Sequence, residues 1–204
     1  MWKEYYNLNK HKPLKPLIII WATFLLFITI LSQVLPARGD KVSISTGFLF
    51  GLIFSTFIVV FSITFAFLLG LYNFRRKRIR FNKKNLKSFF DQSNFKNSYI
   101  YQETKLRFTE EVKFGVINDI PVIADIIVGD SKFVRFQFLV DSEPIPKKRF
   151  KELTEEFKDH NAFFDIGYIF KKISRESSAS KIETELKSFS IFLLSENFKP
   201  LEDK

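Results

Sequence analysis

Two long uncharged stretches in the first part of the chain constrain its fold more than any other feature. Residues 17–35 (LIIIWATFLLFITILSQVL) and residues 48–72 (FLFGLIFSTFIVVFSITFAFLLGLY) contain no Asp, Glu, Lys or Arg. An α-helix needs roughly 20 consecutive apolar residues to cross the hydrocarbon core of a bilayer. Both stretches reach that length, so they predict a transmembrane hairpin of two helices joined by a short loop at residues 36–47.

Two other interpretations of the apolar stretches are less favoured. Core helices of a soluble protein rarely contain such long uncharged runs. A cleaved signal peptide usually has a shorter apolar region followed by a small-x-small cleavage site, and Leu35-Pro36-Ala37 does not provide one. The chain also has no Cys that a lipid anchor could use. We therefore expect the first stretch to remain as an uncleaved helix.

The uneven charge distribution predicts the membrane topology. The chain has a formal net charge of +10, and most of this excess precedes residue 81. The basic N-terminus (1–16) and the basic linker (73–98) are expected in the cytoplasm, because Lys and Arg accumulate on that side of a membrane. The sequence thus predicts a multi-pass protein of the plasma (inner) membrane with both termini cytoplasmic. Five bases after the second stretch are expected to face lipid headgroups: Arg75, Arg76, Lys77, Arg78 and Arg80.

Concentration of the positive charge beside the apolar stretches also argues against nucleic-acid binding. A basic protein can bind phosphate backbones through its net charge. Here, however, residues 81–204 are nearly neutral. The basic segments are therefore better explained by contact with membrane lipids, and no nucleic-acid partner is predicted.

Small residues recur at four-residue intervals through the second apolar stretch. Such spacing places them on one side of a helix, where they allow another helix to approach closely in lipid. Packing inside the hairpin and packing between subunits of a homo-oligomer both remain open. The residues predicted to pack are Gly47, Gly51, Ser55, Ser62, Ala66 and Gly70.

The remaining chain predicts a cytoplasmic α+β domain over residues 99–204, preceded by a short helix at 82–91. Alternating apolar residues predict an antiparallel β-meander with strands at 99–108, 112–117, 120–128 and 133–140. Asn118-Asp119 fits a two-residue hairpin turn between the second and third of these strands.

A helix and two less regular segments complete the predicted domain. Pro144 and Pro146 end the sheet, and apolar spacing predicts a helix from there to about His160. Residues 162–173 predict one strand with Phe164, Ile166, Tyr168 and Phe170 on a shared face. Residues 181–195 fit either a helix capped by Ser180 and Glu183 or a strand, and a strand is favoured for the middle of this segment.

The chain offers little material for catalysis. It has no Cys and only two His, His11 and His160. It also lacks a Gly-rich phosphate loop and the common hydrolase and zinc-protease motifs. His160 at a predicted helix end is explained by the helix dipole alone. We therefore expect a protein that is not an enzyme, with no metal site and no cofactor.

A basic cluster at the start of the predicted helix is the strongest candidate for a binding site. Several bases beside the positive end of a helix dipole favour the binding of an anion or an acidic partner. The alternative is a solvated helix face balanced by Glu152, Glu155 and Glu156. The cluster consists of Lys147, Lys148, Arg149 and Lys151.

Two functions fit this organisation. The first is a membrane-anchored binding module whose cytoplasmic domain engages a protein partner or assembly at the inner membrane face. The second is a signalling effector, in which the domain senses a small anionic ligand such as a cyclic nucleotide and the hairpins oligomerise to perturb the membrane. In layout alone, the chain resembles two-span effectors of bacterial antiphage systems, which implies ligand sensing of this kind.

Overall fold

A computed structural model describes residues 1–10, 12, 19, 21–27, 30, 44–102, 108–127, 132–141, 143–165 and 168–201. The chain forms two compact units. The first comprises Met1–Phe74 with Tyr101–Thr109, and the second comprises Arg75–Ile100 with Glu110–Lys204.

The first unit is helical. Helix α1 spans Trp2–Asn9, residues 21–27 are helical, and helix α2 spans Ile44–Phe81. Within α2, Gly51–Phe81 contains an 18-residue stretch with a mean hydropathy of 2.6 and is long and apolar enough to cross a membrane; it is the one such helix among the described residues. Apart from residues 19, 21–27 and 30, the predicted first span at 17–35 lies outside the described residues.

Helix α2 is longer than the predicted second span. It begins at Ile44, inside the predicted loop, and continues past residue 72 through the basic segment to Phe81. Lys and Arg have good helix propensity, so nothing in the basic segment interrupts the helix. The last seven residues of α2, Arg75–Phe81, belong to the second unit.

The second unit is an α+β domain with an antiparallel sheet, as predicted, and this sheet has six strands. The strand order is β1-β2-β3-β4-β7-β6. The strands are β1 (Lys96–Ile100), β2 (Glu110–Ile117), β3 (Ile120–Asp125), β4 (Phe133–Phe138), β6 (Ala162–Asp165) and β7 (Tyr168–Ser174). Between β4 and β6, β5 (Val140–Asp141) pairs with β8 (Lys199–Pro200) in a separate two-stranded sheet.

Three helices cover one face of the six-stranded sheet and form the core with it. They are α3 (Lys84–Gln92), α4 (Lys147–Glu156) and α5 (Ala179–Ser195). A short 3₁₀ turn, Lys158–His160, follows α4. Alternate strand residues point into this core because successive side chains of a strand face opposite ways. The fully buried core side chains include Leu86, Ile120, Val122, Val134, Phe136, Leu153, Ile182 and Leu186.

Several predicted elements are confirmed. The short helix predicted at 82–91 is α3, and its Leu86, Phe89 and Phe90 are buried. The hairpin turn predicted at Asn118-Asp119 joins β2 to β3, and both residues have positive φ, 46° and 65°. Asn and Asp tolerate this backbone conformation better than most residues, which explains the local sequence.

The single strand predicted over residues 162–173 is wrong. This segment is a hairpin in which Asp165 pairs with Tyr168 at the turn. Phe164 pairs with Ile169 and lies in the core, whereas Phe170 pairs with Phe163 on the other face. Residues two apart in sequence share a face of a sheet only within one continuous strand, and the turn between β6 and β7 interrupts this alternation. Ile166 lies outside the described residues.

The strand favoured for the middle of residues 181–195 is also wrong, because this segment is helix α5. Ser178, rather than Ser180, is the N-cap, and its hydroxyl accepts a hydrogen bond of 3.3 Å from the Lys181 amide. Ile182, Leu186, Phe189 and Leu193 recur with helical spacing and are buried. A helix buries all four of these side chains on one face, and this burial stabilises the helix more than the short alternation at Ser188–Phe192 favours a strand.

Candidate functional site

A cleft of about 620 Å³ lies between helix α4 and strand β6 of the second unit. The helix is fixed there by its apolar side, because Phe150 and Leu153 point into the core. Its Thr154 hydroxyl also donates a hydrogen bond of 3.0 Å to the carbonyl of Phe164 in β6. The cleft is lined by Lys147, Phe150, Lys151, Thr154, Glu155, Phe163, Phe164 and Asp165.

The helical wall of the cleft carries a row of charged side chains. Lys147, Lys151 and Glu155 follow one another at four-residue intervals, so they lie along one side of α4. All three residues are exposed. Among the described residues, neither Lys147 nor Lys151 takes part in an ion pair. Two positive charges are therefore available at the wall of the cleft.

The strand wall is aromatic. Because β6 is an edge strand of the sheet, side chains from both of its faces border the cleft. Phe164 is buried, whereas Phe163 is 40% exposed and stacks on Phe170 with a centroid distance of 5.2 Å. An exposed ring held by a second ring offers a flat surface on which another planar group can stack.

Arg149 does not belong to the cleft, although the sequence places it in the same basic cluster. Its guanidinium donates two hydrogen bonds to Glu196, of 2.6 and 2.9 Å, and a third of 2.8 Å to Glu156. The hydrogen bonds from Arg149 hold the pKa of Glu196 below its ordinary value, and those to Glu196 raise the pKa of Arg149. Arg149 thus ties α4 to the end of α5.

The structure therefore divides the predicted basic cluster. Lys147 and Lys151 line the cleft, while Arg149 is held in ion pairs. The Lys148 side chain is 89% exposed, and its ammonium lies 3.8 Å from Glu152. The partner that sequence reasoning missed is Glu196, because it is 47 residues away from Arg149 and only the tertiary fold brings them together.

The bases after the second apolar stretch have different surroundings from those expected of a lipid-facing segment. Lys77 is 3% exposed and is bound by Glu110 and Asp125, the latter at 2.7 Å. Asp125 in turn accepts a hydrogen bond of 2.9 Å from Arg135.

The neighbouring bases vary in exposure. Arg78 pairs with Glu111 at 2.6 Å, and Arg80 is buried. Arg75 is exposed, and Arg76 is half-buried. The charges of Lys77 and Arg78 therefore attach the end of α2 to strands β2 and β3, and their contact with lipid stays a prediction.

The row of small residues also divides into distinct environments. Gly51 and Ser55 are buried, whereas Ser62 and Ala66 are exposed. At Gly70, an added Cβ atom would collide with the Tyr5 hydroxyl of α1, so glycine permits this close approach. The surroundings of Gly47 lie outside what the structure describes.

Within the described residues, no group of three or more His, Cys, Asp or Glu side chains could hold a metal ion. His160 is exposed, with its ring centroid 5.7 Å from that of Phe157.

Comparison with known proteins gives no further guidance. The chain matches no protein-family model, no curated protein and no solved structure. Function is therefore inferred from the residues themselves.

Proposed function

We propose that this protein is a non-enzymatic, membrane-anchored binding module whose α+β domain engages a protein partner at the inner membrane face. The observation that carries the proposal is the continuity of helix α2. It runs from an apolar stretch long enough to cross a bilayer into ion pairs with the sheet of the domain. Such a helix keeps the domain at the membrane.

The proposed anchor is a hairpin of two spans with both termini in the cytoplasm. The indole nitrogen of Trp21, in the helical residues 21–27, donates a hydrogen bond of 3.0 Å to the Thr56 hydroxyl of α2. This contact and the burial of Gly51 and Ser55 support packing of a second helix against α2. The basic segments on both sides of the hairpin support the orientation.

The charge of the α4 surface favours a partner with an acidic surface. Lys147, Lys148 and Lys151 are exposed on this helix, near its positively polarised N-terminal end. Electrostatic attraction of this type raises the association rate and weakens as salt is added. We therefore place partner binding on these three lysines and exclude Arg149, which already pairs with glutamates.

The partner proposal is tested by capturing bound proteins from native membranes with the wild-type protein and with lysine variants. The full-length protein should retain a partner at low salt and lose it progressively as salt is raised. A variant with Lys147→Glu, Lys148→Glu and Lys151→Glu should lose that partner. The matched control changes three other exposed lysines, Lys96, Lys181 and Lys199, to Glu. Equal capture by the wild type and the α4 variant across salt concentrations would reject the proposal.

A second candidate function is favoured by the cleft itself. In this alternative, the domain senses a small anionic ligand, such as a cyclic nucleotide, and the hairpins oligomerise to perturb the membrane, as in an antiphage-type effector. A cleft of about 620 Å³ with two lysines in its wall supports ligand binding. Ligand-dependent crosslinking of the full-length protein in membranes, reduced by Ala66→Leu at an exposed position of the small-residue row, is the expected result. Crosslinking that is unchanged by every ligand tested would reject this alternative.

A further inference from the structure

We propose that the cleft between α4 and β6 binds a planar molecule that carries one anionic group. A nucleoside monophosphate and an aromatic amino acid share this chemistry. The inference deepens the second candidate function, on which it rests, by assigning a ligand class to the cleft. It rests on three observations: the size of the cleft, its aromatic wall, and the lack of an ion pair at Lys147 and Lys151 among the described residues.

The size of the cleft suits a small organic molecule. Ligand pockets usually have volumes of about 300–1,000 Å³, and the volume here is about 620 Å³. The walls come from a helix and an edge strand that are joined through the Thr154–Phe164 hydrogen bond. Phe150 and Phe164 anchor these walls in the core, so both sides of the cleft have fixed positions.

The distribution of charge on α4 indicates an anionic group in the ligand. Arg149 occupies the same helical turn as Lys147, yet it takes Glu152, Glu156 and Glu196 as its partners. Lys147 and Lys151 have no ion-pair partner among the described residues, and both line the cleft. A phosphate or carboxylate placed between two ammonium groups would form charge-assisted hydrogen bonds, which are the stronger kind.

The two carboxylates of the cleft limit the negative charge of the ligand. Glu155 and Asp165 also line it, so its four ionisable groups have no net charge. A ligand with several anionic groups would meet these carboxylates and be repelled. A ligand with a single anionic group is therefore the best match.

The exposed ring of Phe163 indicates that the ligand has a planar part. The Phe170 ring stacks on it with a centroid distance of 5.2 Å and so restricts its movement in the wall of the cleft. Stacking of a base on an aromatic side chain strengthens binding by about fivefold to 150-fold in nucleic-acid complexes.

Equilibrium binding to the full-length protein in lipid nanodiscs tests the ligand class. The probes are AMP and L-tryptophan, which distinguish the two sources of this chemistry. Adenosine and tryptamine serve as the matched probes without the anionic group. We expect saturable binding of AMP or tryptophan, and binding at least about tenfold weaker for the corresponding probe without its anionic group.

Variants connect this binding to the proposed residues. The pair Lys147→Gln and Lys151→Gln should weaken binding about tenfold or more, whereas Lys181→Gln together with Lys199→Gln, two exposed lysines outside the cleft, should leave it unchanged. Phe163→Ala should also weaken binding about tenfold, and Phe163→Tyr should restore it because the ring is retained. Since Lys147, Lys151 and Phe163 are exposed, these changes should leave the fold intact.

Two results would overturn the assignment. One is the absence of saturable binding of both AMP and tryptophan up to about 10 mM, weaker than any useful affinity for such ligands. The other is binding that Lys147→Gln with Lys151→Gln does not change. If AMP or tryptophan binds as expected without promoting crosslinking, the assignment of the cleft is supported and only the effector function fails.

Discussion

Two groups of phenylalanines, one in each unit of this protein, have opposite surroundings. In α2, Phe57, Phe61 and Phe65 are 67%, 63% and 60% exposed and form a stacked row at four-residue intervals. In the domain, Phe90 and Phe136 are 1% and 0% exposed. Burial of such a side chain away from water is worth about 1.5–3 kcal/mol.

This contrast is the one expected if α2 crosses a membrane, as proposed. A row of exposed rings on a soluble protein would be an aggregation hazard, whereas in lipid it needs no cover. Under the proposed membrane insertion, phenylalanine fills the core of the domain in one unit and faces lipid in the other. Within the second unit, the ionic side chains differ in a similar way, since Lys77 is enclosed by carboxylates while the Lys148 side chain is 89% exposed.

The largest effect should come from truncating a phenylalanine of the domain core. Phe136→Ala leaves a cavity among Phe89, Phe90 and the neighbouring strands, and should cost about 3–5 kcal/mol. Phe61→Ala in α2 should leave the domain unaffected. Hydrogen exchange of the β3 amides in nanodiscs measures both effects. Equal loss of protection in the two variants would contradict the distinction between the units.

Removal of a buried carboxylate should have the next largest effect. Asp125→Ala removes one of the two carboxylates that pair with Lys77 and also removes the hydrogen bond between Arg135 and Asp125, which should cost about 3 kcal/mol. The control is Glu183→Ala, which breaks an exposed pair with Lys187 and should cost less than about 0.5 kcal/mol. Urea midpoints of the two variants give this comparison, and similar midpoints would show that the Lys77 cluster adds little stability.

A smaller effect is expected where glycine allows close packing. In the domain, a Cβ atom at Gly115 would collide with the Phe95 ring, so Gly115→Val should cost about 1–3 kcal/mol. In the first unit, Gly70→Val should displace Tyr5 and with it α1. Hydrogen exchange of residues 2–9 should then increase, while Ala66→Val, at an exposed position, should leave it unchanged.

The smallest effect concerns acid stability. Because Arg149 lowers the pKa of Glu196 in the folded protein, this interaction stabilises fully above the unfolded pKa of about 4.3. The stabilisation is lost as pH falls from there through the lower folded pKa. Glu196→Gln should therefore flatten the decline in stability below about pH 4.3, measured by urea unfolding. A decline as steep as that of the wild type would exclude this contribution.

The sequence predicted those elements whose information is local. The Asn118-Asp119 turn and the apolar side of α3 follow from short-range patterns, and the apolar run of α2 follows from length and composition. The prediction failed where the same segment fits two local patterns, one of a strand and one of a helix. Residues 188–192 alternate like a strand, and only burial of the full stripe from Ile182 to Leu193 decides for helix α5.

The candidate site was only partly predictable for the same reason. The bases of α4 are visible in the sequence, but their division into cleft lysines and a paired arginine depends on Glu196. The aromatic wall depends on the hairpin of β6 and β7, which brings Phe163 against Phe170. Contacts between distant parts of the chain leave no periodic signal in a single sequence.

The most direct test of the account is the accessibility of α2 and the domain to a membrane-impermeant maleimide. The chain contains no Cys, so single-cysteine variants report one position each. Phe61→Cys lies in the proposed span, and Lys87→Cys lies at an exposed position of α3. The account predicts labelling of the Lys87→Cys variant in inside-out vesicles but not in intact cells, and no labelling of the Phe61→Cys variant in either. Labelling of Phe61→Cys as fast as Lys87→Cys in inside-out vesicles, or of Lys87→Cys in intact cells, would contradict it.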